Sequence, residues 1–264
     1  MISATIFNKD CMDVLPTLDK KSIDIVLTSP PYNTARKTMS ATALEQLNQR
    51  YDIHIDDMTD SQYIEFTINI FNEYNQVLKE DGVVLYNLSY STQKPSLMWS
   101  VVSEIINKTN FTVADTIVWK KSSALPNNMS HNRLTRIVEF VFVFCRKDEL
   151  STFKAAKEVI STRKTGQRNY ENVFNFVEAR NNDGSNQFNK ATFSTELCDK
   201  LLKIYANPSS VVLDNFMGTG TTGVSSLRKG CSFIGIEISP NQCLYAKERI
   251  LEDIPKSTVN LITN

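Results

Sequence analysis

The chain has 264 residues, 41% of them apolar and 22% charged, with a formal net charge of zero. This is the profile of an ordinary globular protein; no apolar run reaches the ~18–20 residues that cross a bilayer, and a neutral chain is not built to coat polyanions over its whole surface. The charge is uneven, however: residues 120–168 hold eleven Lys and Arg against four Asp and Glu, while residues 1–100 hold eight against thirteen, so the basic middle is a candidate nucleic-acid footprint.

In chain order, Ile23 to Thr28 reads as a buried strand that stops at Ser29-Pro30-Pro31-Tyr32. Asn33 to Met58 is a long polar stretch, expected as a functional or mobile loop. Thr59 to Glu80 has helical spacing, with Thr59 and Gln62 as a capping box and Gly82 as the expected C-terminal cap. Val83 to Leu88 is the next strand, Leu97 to Asn107 a helix, and Phe111 to Trp119 and Ile137 to Cys145 two further strands. Glu149 to Asn189 is polar and basic with a turn at Asn181 to Gly184; Thr195 to Tyr205 is helical. Ser210 to Asp214 and Phe233 to Glu237 are strands, each leading into a helix.

Alternating strands and helices predict an α/β fold. Its sheet is mostly parallel, doubly wound and Rossmann-like, with helices on both faces. Ligands of such sheets bind beyond the carboxyl ends of the strands. The residues after Thr28, Leu213 and Ile236 therefore belong to one surface. The five cysteines form no CxxC pair, which favours reduced, buried thiols in a cytosolic protein. Two histidines, neither beside a cysteine, argue against a metal site. The first residues lack a basic start followed by an apolar core, so no secretory signal is expected.

Five of the eight glycines fall between Gly218 and Gly235. Asp214-Asn215-Phe216-Met217-Gly218-Thr219-Gly220-Thr221-Thr222 reads as strand, Gly-x-Gly turn and a helix capped by Thr. No lysine follows Gly220, so this is not a Walker loop. Instead an acid, Asp214, opens the turn, and a second, Glu237, closes the next strand about 20 residues beyond Gly218, where a ribose diol would be bonded. Two acids disfavour a pyrophosphate and favour a cationic ligand with a ribose. S-adenosylmethionine fits, with its ammonium toward Asp214 and the turn. Beside such a methyl donor, Ser29 Oγ and the Pro30 carbonyl would accept hydrogens from an exocyclic amine, and Tyr32 would stack on an extruded base.

Thr28-Ser29-Pro30-Pro31-Tyr32 and the glycine segment resemble the two hallmark motifs of DNA amino-methyltransferases. The catalytic motif comes first, as in the circularly permuted β class. The resemblance implies S-adenosylmethionine as cofactor and adenine N6 or cytosine N4 as target; Thr28 before Ser29 leans to cytosine N4. Asn8 to Leu15 resembles the segment whose acid, here Asp10, meets the cofactor adenine. Lys190-Ala191-Thr192-Phe193 resembles the wall at its methionine end. Val118 to Lys121 and Arg133 to Glu139 resemble segments that flank the target base.

The expected sites follow from the motifs and this resemblance. Ser29, Pro30, Pro31 and Tyr32 are catalytic. Asp10, Thr28, Thr192, Phe193, Asp214, Phe216, Gly218, Gly220, Thr221 and Glu237 bind the cofactor. Lys120, Lys121, Arg133, Arg136, Arg163, Lys164 and Arg168 bind DNA. Residues 1–147 form the catalytic part with a mobile loop at 33–58, residues 148–188 a small target-recognition insertion, and residues 189–264 the cofactor-binding part of the same domain. The implied partners are double-stranded DNA, a cognate restriction endonuclease acting on the same sequence and a second copy of the chain; no membrane is involved. The implied setting is the cytoplasm of a bacterium, or a phage-encoded protein. Two departures stand out: Asn215 where the family usually has proline, and Ser194 where a proline usually follows Thr192-Phe193. An RNA or protein methyltransferase and an idle DNA-binding homologue are the alternatives. Cytosine C5 methylation is disfavoured, because no cysteine follows a proline at a strand end.

Overall fold

The structure is a computed structural model, and it describes residues 2–33, 58–91, 93–124, 131–132, 134–184 and 192–263. Eleven strands are formed among these residues: β1 Ser3–Phe7, β2 Ile23–Thr28, β3 Leu78–Leu88, β4 Phe111–Lys121, β5 Val138–Arg146, β6 Val159–Thr162, β7 Arg168–Tyr170, β8 Phe176–Ala179, β9 Val211–Asp214, β10 Ser232–Ile236 and β11 Thr258–Ile262. The α-helices are α1 Cys11–Val14, α2 Asp60–Val77, α3 Leu97–Lys108, α4 Thr195–Tyr205, α5 Thr221–Arg228 and α6 Pro240–Asp253.

Nine strands make one sheet in the order β11-β1-β10-β9-β2-β3-β5-β4-β8. Only β5 runs against its neighbours; every other pairing in this sheet is parallel. Successive residues of a strand point to opposite faces, and β2 shows it: Ile25 and Leu27 enter the core under α4, α5 and α6, Val26 enters the core under α1, α2 and α3, and Ile23 joins Val26 across an irregularity between Ile23 and Ile25. Both faces are thus covered, which is why these strands read as nearly continuous apolar runs.

From β9 the chain crosses through α5 to β10 on one side; from β2 it crosses through α2 to β3 on the other. Right-handed crossovers in opposite directions put their helices on opposite faces. They also open a crevice between the carboxyl ends of β9 and β2, the switch point where such sheets bind ligands.

Three local expectations change. Helix α2 starts with the predicted capping box, Thr59 Oγ1 accepting from Gln62 N at 3.2 Å and Gln62 Oε1 from Thr59 N at 3.0 Å. It ends at Val77, though, and Gly82 lies inside β3 rather than at a cap. The reason is tertiary: the backbone N–H groups of Lys21 and Ser22 donate to the carbonyls of Gln76 and Val77 at 3.0 and 2.9 Å, and Arg146, at the end of β5, donates to those of Asn75, Leu78 and Lys79 at 3.1, 2.7 and 2.8 Å, so the helix end is satisfied from outside. Second, β1, β11 and β8 were not anticipated. β8 joins the main sheet beside β4, so the region expected as an insertion contributes a strand to the fold. Third, α5 is capped by Gly220 in the left-handed region at φ 78°, not by a threonine, and Thr221 is its first residue.

The long segment Asn33 to Met58 lies outside the described residues except for its ends; there Asn33 Nδ2 donates to Met58 O at 2.9 Å. Residues 185–191, with the last four positions of the expected insertion, also lie outside them. No helix among the described residues is long and apolar enough to cross a membrane.

Candidate active site

Strand β2 runs into the crevice and ends at Thr28, whose hydroxyl donates to Asp214 Oδ1 at 2.7 Å across the β2–β9 boundary. Two motifs separated by 186 positions are therefore hydrogen-bonded neighbours. Asp214 also accepts from Thr222 Oγ1 at 2.6 Å and from Phe216 N at 3.1 Å, and it is 1% exposed. With three donors on a buried carboxylate, its oxygens are turned to the protein. The expected direct pairing with a cationic amine is not what this geometry offers; Asp214 instead locks β2, the turn and α5 together.

Burial pushes the Asp214 carboxyl up to about 6 from 3.8, while the Thr222, Thr28 and Phe216 donors pull it back. A carboxyl raised on folding contributes stability that is complete below its unfolded value and lost as pH rises through the folded one. Asp214→Asn keeps the shape without the buried charge. The stability of wild type relative to this variant should fall by about 3 kcal/mol between pH 4 and 7, a window set by these two values. Urea unfolding of both proteins across that range reads the difference; parallel curves would contradict it.

The glycine turn has two positions that need glycine for conformation, Gly218 at φ 54° and Gly220 at φ 78°. A Cβ on Gly220 would lie 2.8 Å from Ala246 Cβ on α6, and one on Gly223 would lie 2.8 Å from the Phe233 ring. These glycines thus serve close packing of α5 against α6 and the sheet. Glu237, half-buried, accepts from Gly218 N and from Ser239 N, both at 2.9 Å. Thr219 Oγ1 is buried in this turn without a hydrogen-bond partner among the described residues. Asp10 is exposed and caps α1 through Met12 N at 2.8 Å; Thr192 is half-buried and Phe193 buried just before α4. Asn8 Nδ2 ties the two edges by donating to the carbonyls of Glu237 and Ile238 at 3.0 and 2.9 Å. An unfilled hydroxyl, acceptors at a strand end and glycines at positive φ suit a nucleoside with a charged tail.

The family departures have physical counterparts. Asn215 Oδ1 accepts from the buried Tyr74 hydroxyl, a bond no proline could make. Ser194 Oγ caps α4 through Leu197 N at 3.3 Å and donates to Arg180 O at 2.8 Å.

Around Ser29 lies a polar network that motif reading missed. Ser29 Oγ is 3.0 Å from Tyr32 Oη and 3.3 Å from Asn87 Oδ1. Tyr32 Oη lies 2.8 Å from Asn87 Oδ1 and 3.0 Å from Glu139 Oε2. Asn87 Nδ2 donates to Phe140 O at 3.1 Å, which turns the amide oxygen toward the two hydroxyls. Glu139 is in turn paired with Lys121 at 2.5 Å. Asn87 is the last residue but one of β3, beside β2, so adjacency near a strand end is the available signal; Glu139 sits on the reversed strand β5, which no local pattern links to Ser29.

The expected DNA-binding residues are not gathered in one place. Lys121 is engaged by Glu139 and lies 5.1 Å from the Trp119 ring, and Lys120 is paired with Glu178 at 3.0 Å. Arg136 sits 5.0 Å over the Tyr90 ring and donates to the Tyr90 carbonyl. Arg163, Lys164 and Arg168 are exposed on a separate two-stranded ribbon, β6–β7, that turns at Gly166. Arg133 lies outside the described residues. All five cysteines are free and buried. Burial pushes the Cys11 thiol up to about 12 and raises Cys145, Cys198 and Cys231, so none of these four supplies a thiolate nucleophile. Among the described residues no cluster of three metal-ligating side chains exists.

The model of the N6/N4 family described as DNA methylase matches residues 23–248, most of the chain, including Ser29 and the glycine turn. The protein belongs to the N6/N4 DNA methylase family. As a family member it is a DNA methyltransferase that uses S-adenosylmethionine. Type II methyltransferase M.Cfr9I of Citrobacter freundii is 25% identical over 279 aligned positions, covering 94% of this chain and 87% of that one. The PvuII cytosine-N4-specific DNA methyltransferase shares the fold with a TM-score of 0.70 at 18% identity, over 98% of this chain and 95% of the other. A complex of M1.HpyAVI with S-adenosylmethionine matches with a TM-score of 0.59 at 21% identity, over 93% and 99%.

Proposed function

We propose that this methylase acts on the exocyclic amine of a base turned out of double-stranded DNA, with cytosine N4 favoured over adenine N6. Ser29 and the Pro30 carbonyl receive the amine, and the turn after Asp214 holds the cofactor. The observation that carries this reading is the Thr28–Asp214 hydrogen bond, because it opens the serine and the glycine turn onto one crevice.

S-adenosylmethionine, when bound, supplies a methyl group on a sulfonium, which an aligned lone pair can displace directly. An exocyclic amine is a poor nucleophile because its lone pair is delocalised into the base. Accepting its hydrogens localises that pair. Ser29 has a single hydroxyl hydrogen, and when Asn87 Oδ1 or Tyr32 Oη accepts it the Ser29 lone pairs can turn to the amine. Proline at position 30 fixes the backbone direction of its carbonyl and brings no N–H donor into the site. Tyr32, whose one hydroxyl hydrogen is accepted by Asn87 Oδ1 or Glu139 Oε2, offers a fixed ring for stacking, worth about 1–3 kcal/mol per base. Glu237 suits the ribose diol, Asp10 the adenine end, Thr192, Phe193 and Phe216 the walls, and Gly218 to Thr221 the backbone lining. Thr28 and Asp214 keep these parts in register.

The division into a catalytic part at 1–147, a recognition insertion at 148–188 and a cofactor part at 189–264 belongs to the same proposal. The β6–β7 ribbon is its reading element, with Lys120, Lys121 and Arg136 nearer the base; Arg133, outside the described residues, is kept as a DNA contact from the motif alone. A two-stranded ribbon fits a major groove, and the tip carries three exposed cations. Replacing Arg163, Lys164 and Arg168 by glutamine should weaken DNA binding. It should also lower the salt slope of log K by about 0.9 for each phosphate that is no longer neutralised. Fluorescence anisotropy at several salt concentrations measures both, and an unchanged slope would place the phosphate-binding surface elsewhere. The Type II class of the relative supports a cognate endonuclease; a homodimer and a cytoplasmic setting complete the proposal.

The deciding experiment is mass spectrometry of nucleosides from DNA incubated with the protein and methyl-labelled S-adenosylmethionine. Label in N4-methylcytosine is expected. Label in N6-methyladenine would reverse the base, and label in neither would refute the reading.

A further inference from the structure

Asp183 lies in the loop that follows β8 and brings the chain back toward α4. Its carboxylate accepts from the Thr195 backbone N–H and from the Thr195 hydroxyl, both at 3.0 Å, in the first turn of α4. The same carboxylate takes an N–H of Arg249, on α6, at 2.5 Å. The other terminal nitrogen of Arg249 donates to the Thr219 carbonyl at 3.2 Å and to Thr221 Oγ1 at 3.0 Å. Thr219 and Thr221 flank Gly220. One unbroken chain of polar contacts thus runs from the segment after Phe193, through Asp183 and Arg249, to the glycine turn. The loop is itself fixed to the end of β4, because Asn181 Nδ2 donates to Ser123 O at 3.0 Å and Ser122 N to Ala179 O at 3.0 Å.

This is more than a surface ion pair. The pair lies at the surface, with Arg249 and Asp183 side chains 21% and 23% exposed, but each member also holds further partners, Thr195 for Asp183 and Thr219 and Thr221 for Arg249. The planar guanidinium serves acceptors on two separate segments at once, a task a lysine cannot copy. The segments joined are also the two that the cofactor reading sets on opposite sides of the pocket, Thr192-Phe193 and Gly218 to Thr221.

We propose that Asp183 and Arg249 are positioning residues for the cofactor, a clamp that sets the spacing between these two walls. The proposal rests on the pocket assignment above. The clamp touches neither the methyl donor nor the amine, so its loss acts on cofactor affinity and not on the chemical step. Since the two side chains act as one unit, their losses do not add.

The test uses the full chain, S-adenosylhomocysteine titrated by calorimetry, and steady-state methylation with S-adenosylmethionine. Asp183→Ala and Arg249→Met should each raise the Kd and the cofactor KM about tenfold, with kcat at saturating cofactor within about twofold of wild type. The double variant should match the single variants instead of losing about a hundredfold. Arg249→Lys, a milder change that keeps the charge, should give an intermediate Kd and stands in if Arg249→Met does not fold. A lowered melting temperature with unchanged Kd would mean a purely structural bridge and would overturn the clamp, as would multiplying losses. Glu237→Ala is the control for the pocket itself. If it weakens binding while the clamp variants do not, the clamp alone is wrong; if Glu237→Ala also binds normally, the pocket assignment falls as well.

Discussion

Ser29→Ala should lower kcat about 10²–10³-fold, the cost typical of removing one aligned hydrogen-bonding group from a reacting centre. Cofactor Kd should stay within about twofold, because the deletion removes no contact to the glycine turn. The network limits the collateral damage. Without the serine hydroxyl, Tyr32 still has Asn87 and Glu139 as partners, and Asn87 still donates to Phe140 O. Thr28, the preceding residue, keeps its bond to Asp214. The fold and both rims of the crevice therefore survive, and what disappears is one acceptor aimed at the amine. Single-turnover methylation with saturating DNA and cofactor isolates this step. A rate constant close to wild type would remove Ser29 from the chemistry and leave Ser-Pro-Pro-Tyr as a rigid turn.

Gly220→Val should strike the fold before it strikes the cofactor. The residue sits at φ 78°, where a β-branched side chain is an outlier costing about 1–3 kcal/mol. Its Cβ would lie 2.8 Å from Ala246 Cβ and 3.2 Å from Ala246 Cα, so α5 and α6 must part, adding about 1–3 kcal/mol of overpacking. A combined loss of about 2–6 kcal/mol is a large share of the stability of a single domain. For a chain of this size it corresponds to a melting temperature lower by roughly 5–20 °C. Cofactor binding would vanish too, since Gly218 to Thr221 are displaced with the helix. Gly220→Ala should fall between. A Gly220→Val protein that melts like wild type would show that the turn does not hold the left-handed conformation described here.

The two motifs were legible because each carries its own local physics. Apolar runs at strand length, prolines that end a strand, and glycines before an amphipathic helix need no distant partner to be recognised. The capping box at Thr59 and the spans of β2 and α4 followed from the same short-range rules. Where the reading slipped, the deciding group came from elsewhere in the chain. Helix α2 stops at Val77 because its last carbonyls are met from elsewhere in the chain, Gln76 and Val77 by the backbone of Lys21 and Ser22 and Asn75 by Arg146, and Gly82 is not needed there. Strand β8 is short, with alternate exposed positions, and exists because β4 offers it an edge. The threonine expected to cap α5 yielded to Gly220, whose conformation is held by contact with α6.

The same division applies to the site. Sequence alone determined which residues bring the chemistry: a serine between an apolar strand and two prolines, acids at two strand ends, and a glycine turn too poor in lysine for phosphate. Only the tertiary structure decided what each of them faces. It turned the Asp214 carboxylate inward onto Thr28, Thr222 and Phe216, drew Asn87 and Glu139 up to Tyr32, and paired Lys121 with an acid. Periodicity and turn chemistry act over a few residues, so a linear text records them; the direction of a buried polar side chain depends on which strand folds beside it, and that is settled by the whole sheet.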